Sequence, residues 1–178
     1  MDIKAGEKAK LFSLQSFTDK KFELNSIKGK RCLLSFYRFA ACPFCNLRIH
    51  ELVQRHDEFG ENFIIIAIFD ASLDNLSKQS NKHHAPFPIL ADENGLVYQQ
   101  YCVRRSVLGM FKGMFGRLPL LLYAMLMKGY VPLQIKGNIT TMPVDFLIDE
   151  NGIINRTYFG QDAGDHLSLG KIKKFALA

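Results

Sequence analysis

Residues 31–60 read RCLLSFYRFAACPFCNLRIHELVQRHDEFG, and two different periodicities meet inside them. Arg31–Arg38 follows the turn Lys28-Gly29-Lys30 and is dense in large apolar side chains, which reads as a buried strand. From Pro43 to about Gly60, the residues Phe44, Leu47, Leu52 and Phe59 fall roughly on one face of a helix that Gly60 stops. Phe63–Phe69 (FIIIAIF) is then a continuous apolar run bounded by polar residues, as expected of a central strand covered on both faces. Strand, helix and second buried strand in this order argue for an α/β fold.

The flanking sequence extends the alternation. Lys10–Leu14 (KLFSL) and Lys21–Leu24 (KFEL), separated by polar residues, predict an N-terminal β-hairpin. Ser72–Lys82 reads as a polar helix, Phe87–Leu90 as a short strand and Asn94–Tyr101 as one or two helical turns. Asp145–Asp149 and Ile153–Phe159 flank Glu150-Asn151-Gly152, and an Asn-Gly pair between apolar runs is a strong hairpin signal. A last helix is expected from about Asp165 to Phe175. The expected architecture is a mixed sheet with helices on both faces, mixed because the final hairpin is antiparallel. Neither Pro/Gly/Ser-rich linkers nor repeats divide the chain, so residues 1–178 are read as one domain.

Composition narrows the function. With 178 residues, 48% hydrophobic, 15 Phe and 6 Tyr, the chain is not a disordered tail, and four Cys are too few for a disulfide-stapled mini-protein. The opening MDIKAGEKAKLF lacks the apolar run of a signal peptide. Leu118–Met127, the longest uncharged stretch of the apolar middle, falls well short of the roughly 20 residues that span a bilayer. A cytoplasmic location is expected. Lys+Arg 23 against Asp+Glu 17 leaves a charge of +6. Asn94–Val144 holds no acidic residue but carries Arg104, Arg105, Lys112, Arg117, Lys128 and Lys136. That basic segment is among the most apolar in the chain, unlike the dense Lys/Arg runs of nucleic-acid binders, so nucleic acid is not an expected partner.

The chemistry resides at Cys42-Pro43-Phe44-Cys45. A Cys just before a helix meets unsatisfied backbone N–H groups and the positive end of the helix dipole, which favour thiolate over thiol. Cys42 is therefore the expected nucleophile, and Cys45, one turn on, the residue that attacks the resulting mixed disulfide. Pro43 suits the first helical position, where its missing N–H costs nothing. Other readings of the pair are weaker. A zinc site lacks a second Cys/His pair at ligand spacing, with His50 giving only a third ligand. A c-type haem needs His where Asn46 stands. Two packed structural thiols remain an alternative. Cys32 and Cys102 read as buried small hydrophobes, and His83 and His84 as solvent-facing. No metal or cofactor is expected.

Thr140-Thr141-Met142-Pro143 leads directly into the strand Val144–Ile148, a position where Pro is tolerated. The order strand, CxxC, helix, strand and then a Pro-led hairpin and helix resembles the thioredoxin fold. Gly6-Glu7-Lys8-Ala9, the run FYRFAACPFCNL at 36–47, Tyr101-Cys102-Val103, Asp145–Asp149 and Gly164-Asp165-His166-Leu167 resemble its redoxin branch, the AhpC/TSA superfamily. Within that branch they resemble the peroxiredoxin-like proteins that carry CxxC. The resemblance implies a cis Pro143 beside the Cys42 sulfur and a Met142 whose backbone receives an extended substrate. Arg38, Pro43 and Phe44 complete the implied substrate-binding set, with Arg38 lowering the Cys42 pKa or holding a substrate oxygen. The chain departs from the peroxiredoxin pattern Pro-x-x-x-Thr/Ser-x-x-Cys, having Ser35 at the Pro place and Phe39 at the hydroxyl place. The hydroxyl that would orient a peroxide oxygen is therefore missing.

Between about residues 103 and 140 an apolar, basic insert precedes Pro143. Val107, Leu108, Phe111, Met114, Phe115 and Leu118 have helical spacing, Pro119 suits the start of a second helix, and Gly129 suits its C-terminal cap. Two helices packed on the domain are the plainest expectation; a substrate surface, a homodimer interface or a membrane-surface element are the functional ones. The implied activity is that of a thiol–disulfide oxidoreductase or thiol peroxidase. Its partners would be a protein or small-molecule disulfide, or a hydroperoxide, together with a thiol reductant. The alternative is a non-catalytic binding or scaffold protein that uses the insert.

Overall fold

The computed structural model describes residues 3–16, 18, 20–80, 83–132 and 137–178. The end of the expected second helix at 81–82, and Lys136, lie outside them. The strands are β1 (Ser13–Ser16), β2 (Lys21–Glu23), β3 (Arg31–Phe36), β4 (Phe63–Phe69), β5 (Ile89–Ala91), β6 (Val144–Ile148) and β7 (Ile154–Phe159). They form one sheet in the order β2-β1-β5-β4-β3-β6-β7. The β3–β4 and β4–β5 pairs are parallel and the others antiparallel, so the sheet is mixed as expected. The helices are α1 (Pro43–Gln54), α2 (Leu73–Ser80), α3 (Leu96–Gln100), α4 (Val107–Gly116), α5 (Leu118–Leu122) and α6 (Leu169–Ala176). A π-helical turn, Tyr123–Met127, continues α5.

Why β3 and β4 form the centre follows from their side chains. On β4, Phe63, Ile65, Ala67 and Phe69 enter one core with Leu33, while Ile66 and Ile68 enter the other with Cys32, Leu34 and Phe36. This is the period-2 division of a strand buried on both faces. Ile49 and Leu52 of α1, Leu76 of α2 and Ile172 of α6 close the first core. The second is filled by Val97 and Tyr98 of α3, with Tyr101, Phe146 and Phe12. Helices therefore lie on both faces. The parallel β3–α1–β4 connection leaves the start of α1 at the C-terminal end of β3, where ligands of open α/β sheets are handled.

The insert does form two helices, but they pack on the domain by narrow contacts. Gly109 and Gly113 are the buried residues of α4. A Cβ on Gly113 would stand 2.7 Å from the Cβ of Ala163, and one on Gly109 would stand 2.6 Å from the Sδ of Met142. Ala124 and Leu121 carry the corresponding contact for α5 and its continuation. Large apolar side chains on the other faces, Phe115 and Leu126 among them, remain exposed. Among the described residues no single helix is long and apolar enough to cross a membrane, and the two insert helices are bent by 79° to one another.

Candidate active site

The chain leaves β3 at Phe36 and is pinned before it reaches the cysteines. Tyr37 N–H donates to Ile68 O at 2.8 Å, and the Tyr98 hydroxyl donates to Tyr37 O at 2.6 Å and faces Ile68 O at 2.8 Å. Asp70 N–H donates to Arg38 O, and Cys42 N–H to Phe39 O, closing the turn. Cys42 itself is extended (φ −66°, ψ 121°) and caps α1, with Pro43 in the first turn. The Asn46 side-chain amide donates to Ala40 O and Cys42 O, both at 2.8 Å, and its oxygen meets His83 Nε2 at 2.7 Å. His83 is thus buried, not solvent-facing as its polar surroundings suggested, and its ring lies 5.6 Å from that of Tyr130. Asn46, where a haem-type motif would need His, instead braces the loop that presents Cys42.

Cys42 and Cys45 are both free and both buried. Burial pushes the Cys42 thiol up. The hydrogen bond from Cys45, the Arg38 guanidinium and the N–H groups of Cys45 and Phe44 outweigh it, leaving Cys42 lowered to about 7. Arg38 Nη1 stands 3.7 Å from Cys42 Sγ. Burial and the Cys42 thiolate together push Cys45 well up. The two thiols are therefore unequal in the sense the helix start demands: one sulfur is anionic near neutral pH and its neighbour holds the shared proton. Residues three apart at a helix start are neighbours, and the Cys45 thiol hydrogen-bonds the Cys42 sulfur. Arg38 is itself buried, held by Ile139 O and by its approach to the Phe39 ring, rather than lying at the surface.

Replacing Arg38 by Met removes that cation while keeping the volume. The pH midpoint of Cys42 alkylation is then expected to rise from about 7 toward the ordinary thiol value of about 8.5. An unchanged midpoint would show that Arg38 does not act on the sulfur.

Other expected site residues are placed differently. The Met142–Pro143 bond is not cis; among the described residues there is no cis peptide. Trans is the ordinary form before proline. This segment approaches β6 already paired, with Met142 N–H donating to Arg104 O and Thr141 bridging Arg105. Met142 and Pro143 line a cleft of about 440 Å³ with Arg104, Arg105, Gly160 and Gln161, and neither Cys42 nor Arg38 lines it. Phe44 is in the core, against Gly164, and Pro43 is buried beside it, so neither presents an open substrate surface. Cys32 is buried and pushed up to about 12 by its burial. Cys102 is half-buried rather than a core residue, in a left-handed conformation (φ 56°). Among the described residues no three His, Cys, Asp or Glu side chains gather as a metal site, and His50 faces Lys128 Nζ at 3.2 Å.

A further buried polar group, Asp145, is not among the site residues that the sequence points to. Asp145, on β6 opposite Ser35, accepts from the Ser35 hydroxyl, from Leu167 N–H at 2.6 Å and from His166 Nδ1 at 3.1 Å. The His166 ring lies 5.0 Å from that of Tyr37, which stacks on Phe69. Burial pushes Asp145 up, but His166, Arg48 and Ser35 more than offset it and hold it below the usual carboxylate value. The signal was present: an Asp in an otherwise apolar strand, VDFLI, needs partners.

The chain is 25% identical to the bcp peroxiredoxin of Coxiella burnetii over 159 residues, 89% of each sequence. It is 30% identical to peroxiredoxin Bcp of Bacillus subtilis over 94 residues, 52% of this chain and 60% of that one. The crystal structure of peroxidoxin BcpB from Mycobacterium tuberculosis superposes with a TM-score of 0.70 at 19% identity, covering 98% of this chain and 97% of the other, which establishes a common fold. The family model for AhpC/TSA matches residues 5–157, and the chain accordingly belongs to the AhpC/TSA family.

Proposed function

We propose that the protein is a thiol-dependent oxidoreductase that reduces a small hydroperoxide through Cys42 and Cys45. The observation that carries this reading is the inequality of the two sulfurs: Cys42 at the head of α1 is lowered to about 7, and Cys45 beside it is pushed up. In the first step the Cys42 thiolate attacks the terminal peroxide oxygen. The O–O bond breaks, Cys42 becomes a sulfenic acid, and the alkoxide leaves and takes a proton as alcohol. The Cys45 sulfur then displaces hydroxide from that sulfenic acid, forming the Cys42–Cys45 disulfide and water. Two equivalents of a thiol reductant restore the dithiol and leave as a disulfide. We place this cycle in the cytoplasm, where low-molecular-weight thiols and thioredoxin-type donors keep cysteines reduced.

Burial of the dithiol favours a small oxidant. Cys42 has no exposed surface, and a hydroperoxide needs a far smaller opening than a folded protein disulfide. The missing hydroxyl at Phe39 works against peroxide orientation, however, and a directed donor of that kind contributes about 1–3 kcal/mol. Disulfide reduction is therefore the second reading, supported by the CxxC spacing. Stopped-flow consumption of hydrogen peroxide by the reduced protein, run beside an insulin-reduction assay, separates the two. Stoichiometric peroxide consumption with weak insulin reduction is expected; rapid insulin reduction without peroxide consumption would transfer the assignment to disulfide exchange.

A further inference from the structure

The largest feature that the dithiol chemistry does not use is the outer surface of the insert. Eleven of the fifteen exposed large hydrophobic residues described in the structure fall between Val107 and Val131. On α4, Leu108 (79% exposed) and Phe115 (69%) share a face with Phe111. On α5 and its continuation, Leu122, Leu126 (77%) and Met127 (74%) face away from the domain. Singly exposed leucines are ordinary, whereas a contiguous field of this kind marks a contact surface. The charges that the insert itself contributes are also of one sign, the nearest acidic groups being Glu51 on α1 and Asp162 and Asp165 beyond β7. No acidic residue lies between Asn94 and Val144, and Arg104, Arg105 and Lys112 are exposed around it. Arg117 is turned inward, onto Asp162 and Asp165.

We propose that this face docks the protein on an anionic phospholipid bilayer surface, with the apolar side chains entering the headgroup–acyl boundary and the cations meeting lipid phosphates. Three observations choose this occupant. A cationic margin around an apolar helical face is the pattern that lies in a charged membrane interface. A second copy docking by the same face would bring like charges together without an acidic residue from either insert to oppose them. Each of the two helices, at about ten residues, is too short to cross a bilayer by itself, and a bend of 79° between them lets both lie along one surface. The inference is independent of the proposed redox cycle, because neither the dithiol nor its bracing residues take part. It has a consequence for that cycle all the same: α5 and its continuation pack on α1, so docking would hold the Cys42 end of the fold near the bilayer.

The test uses the reduced full-length protein and sedimentation with vesicles of phosphatidylcholine alone or with about one-third phosphatidylglycerol, at about 0.1 M and about 1 M salt. Partitioning is expected to be at least about tenfold stronger on the anionic vesicles and to fall at high salt. Each cation at an anionic surface strengthens binding about fivefold, so Lys112→Glu should weaken it by at least that factor. Phe115→Ser combined with Leu126→Ser should weaken it at least about tenfold, while unfolding and peroxide consumption in vesicle-free buffer stay unchanged, since both residues are exposed. Absence of binding, or equal salt-independent binding to neutral vesicles, would overturn the proposal. So would a dimer by light scattering that the double variant dissociates, which would assign the face to a second copy.

Discussion

Replacing Cys42 by Ser is expected to lower peroxide and disulfide turnover by at least about 10³-fold, because the sulfur that its surroundings favour as an anion is removed. Cys45 cannot substitute: it is buried, and burial pushes its thiol up even before the Cys42 charge is counted. Cys45→Ser should behave differently. The serine hydroxyl can still donate to the Cys42 thiolate, so Cys42 should remain reactive, complete one turnover, and stop as a sulfenic acid or a mixed disulfide. Non-reducing gels and intact mass after a single oxidant pulse distinguish the two variants. Cys45→Ala removes the donor as well and should raise the alkylation midpoint of Cys42. Were the pair merely structural, all three substitutions would act alike and register only as lost stability.

The second large effect concerns stability. Asp145→Ala is expected to cost about 3–5 kcal/mol, because it leaves the Ser35 hydroxyl, the Leu167 N–H and His166 Nδ1 without their shared acceptor inside the fold. Against a total of about 5–15 kcal/mol for an ordinary domain, such a loss approaches unfolding. The urea midpoint measures it, and a change equivalent to less than 1 kcal/mol would contradict the network as described. The acid dependence has a definite sign. Asp145 is lowered in the folded state, so its contribution is complete above the unfolded carboxylate value of about 4 and is lost as pH falls through its lower folded value. Asp145→Asn, which keeps the shape but loses the charge, should flatten that limb of the pH–stability curve.

These two sites differ in how far the sequence discloses them. The dithiol is local: a buried strand, a Pro-started helix and two Cys three apart fix its geometry within one turn, and the structure places Cys42 at the helix cap accordingly. β3, β4, the N-terminal hairpin and the β6–β7 hairpin are legible for the same reason, since continuous apolar runs, an alternating hairpin pattern and an Asn-Gly turn are short-range signals. Asp145 is not local. Its partner Ser35 lies 110 residues away and is met only through the β3–β6 register. His83 reads as solvent-facing from its polar neighbours, yet the fold carries it onto Asn46. Pro143 and Met142 carry the motif of a substrate-facing segment; their pairing with the insert at residues 104 and 105, and the cleft they line with Arg104 and Arg105, depend on contacts far apart in sequence. The insert helices were legible as helices. Which of their faces would be covered was not, because on α4 it is glycines 109 and 113, rather than the large apolar residues, that are buried against the domain.

Unequal sulfurs, one anionic near neutral pH and one protonated, are what the proposed chemistry requires. The most direct test is the rate of iodoacetamide alkylation of the reduced protein against pH, with each modified cysteine identified by mass spectrometry. Reaction at Cys42 should rise with a midpoint near 7, while Cys45 stays unmodified over the same range. Equal reaction of both cysteines with a midpoint at the unperturbed thiol value of about 8.5 would contradict it.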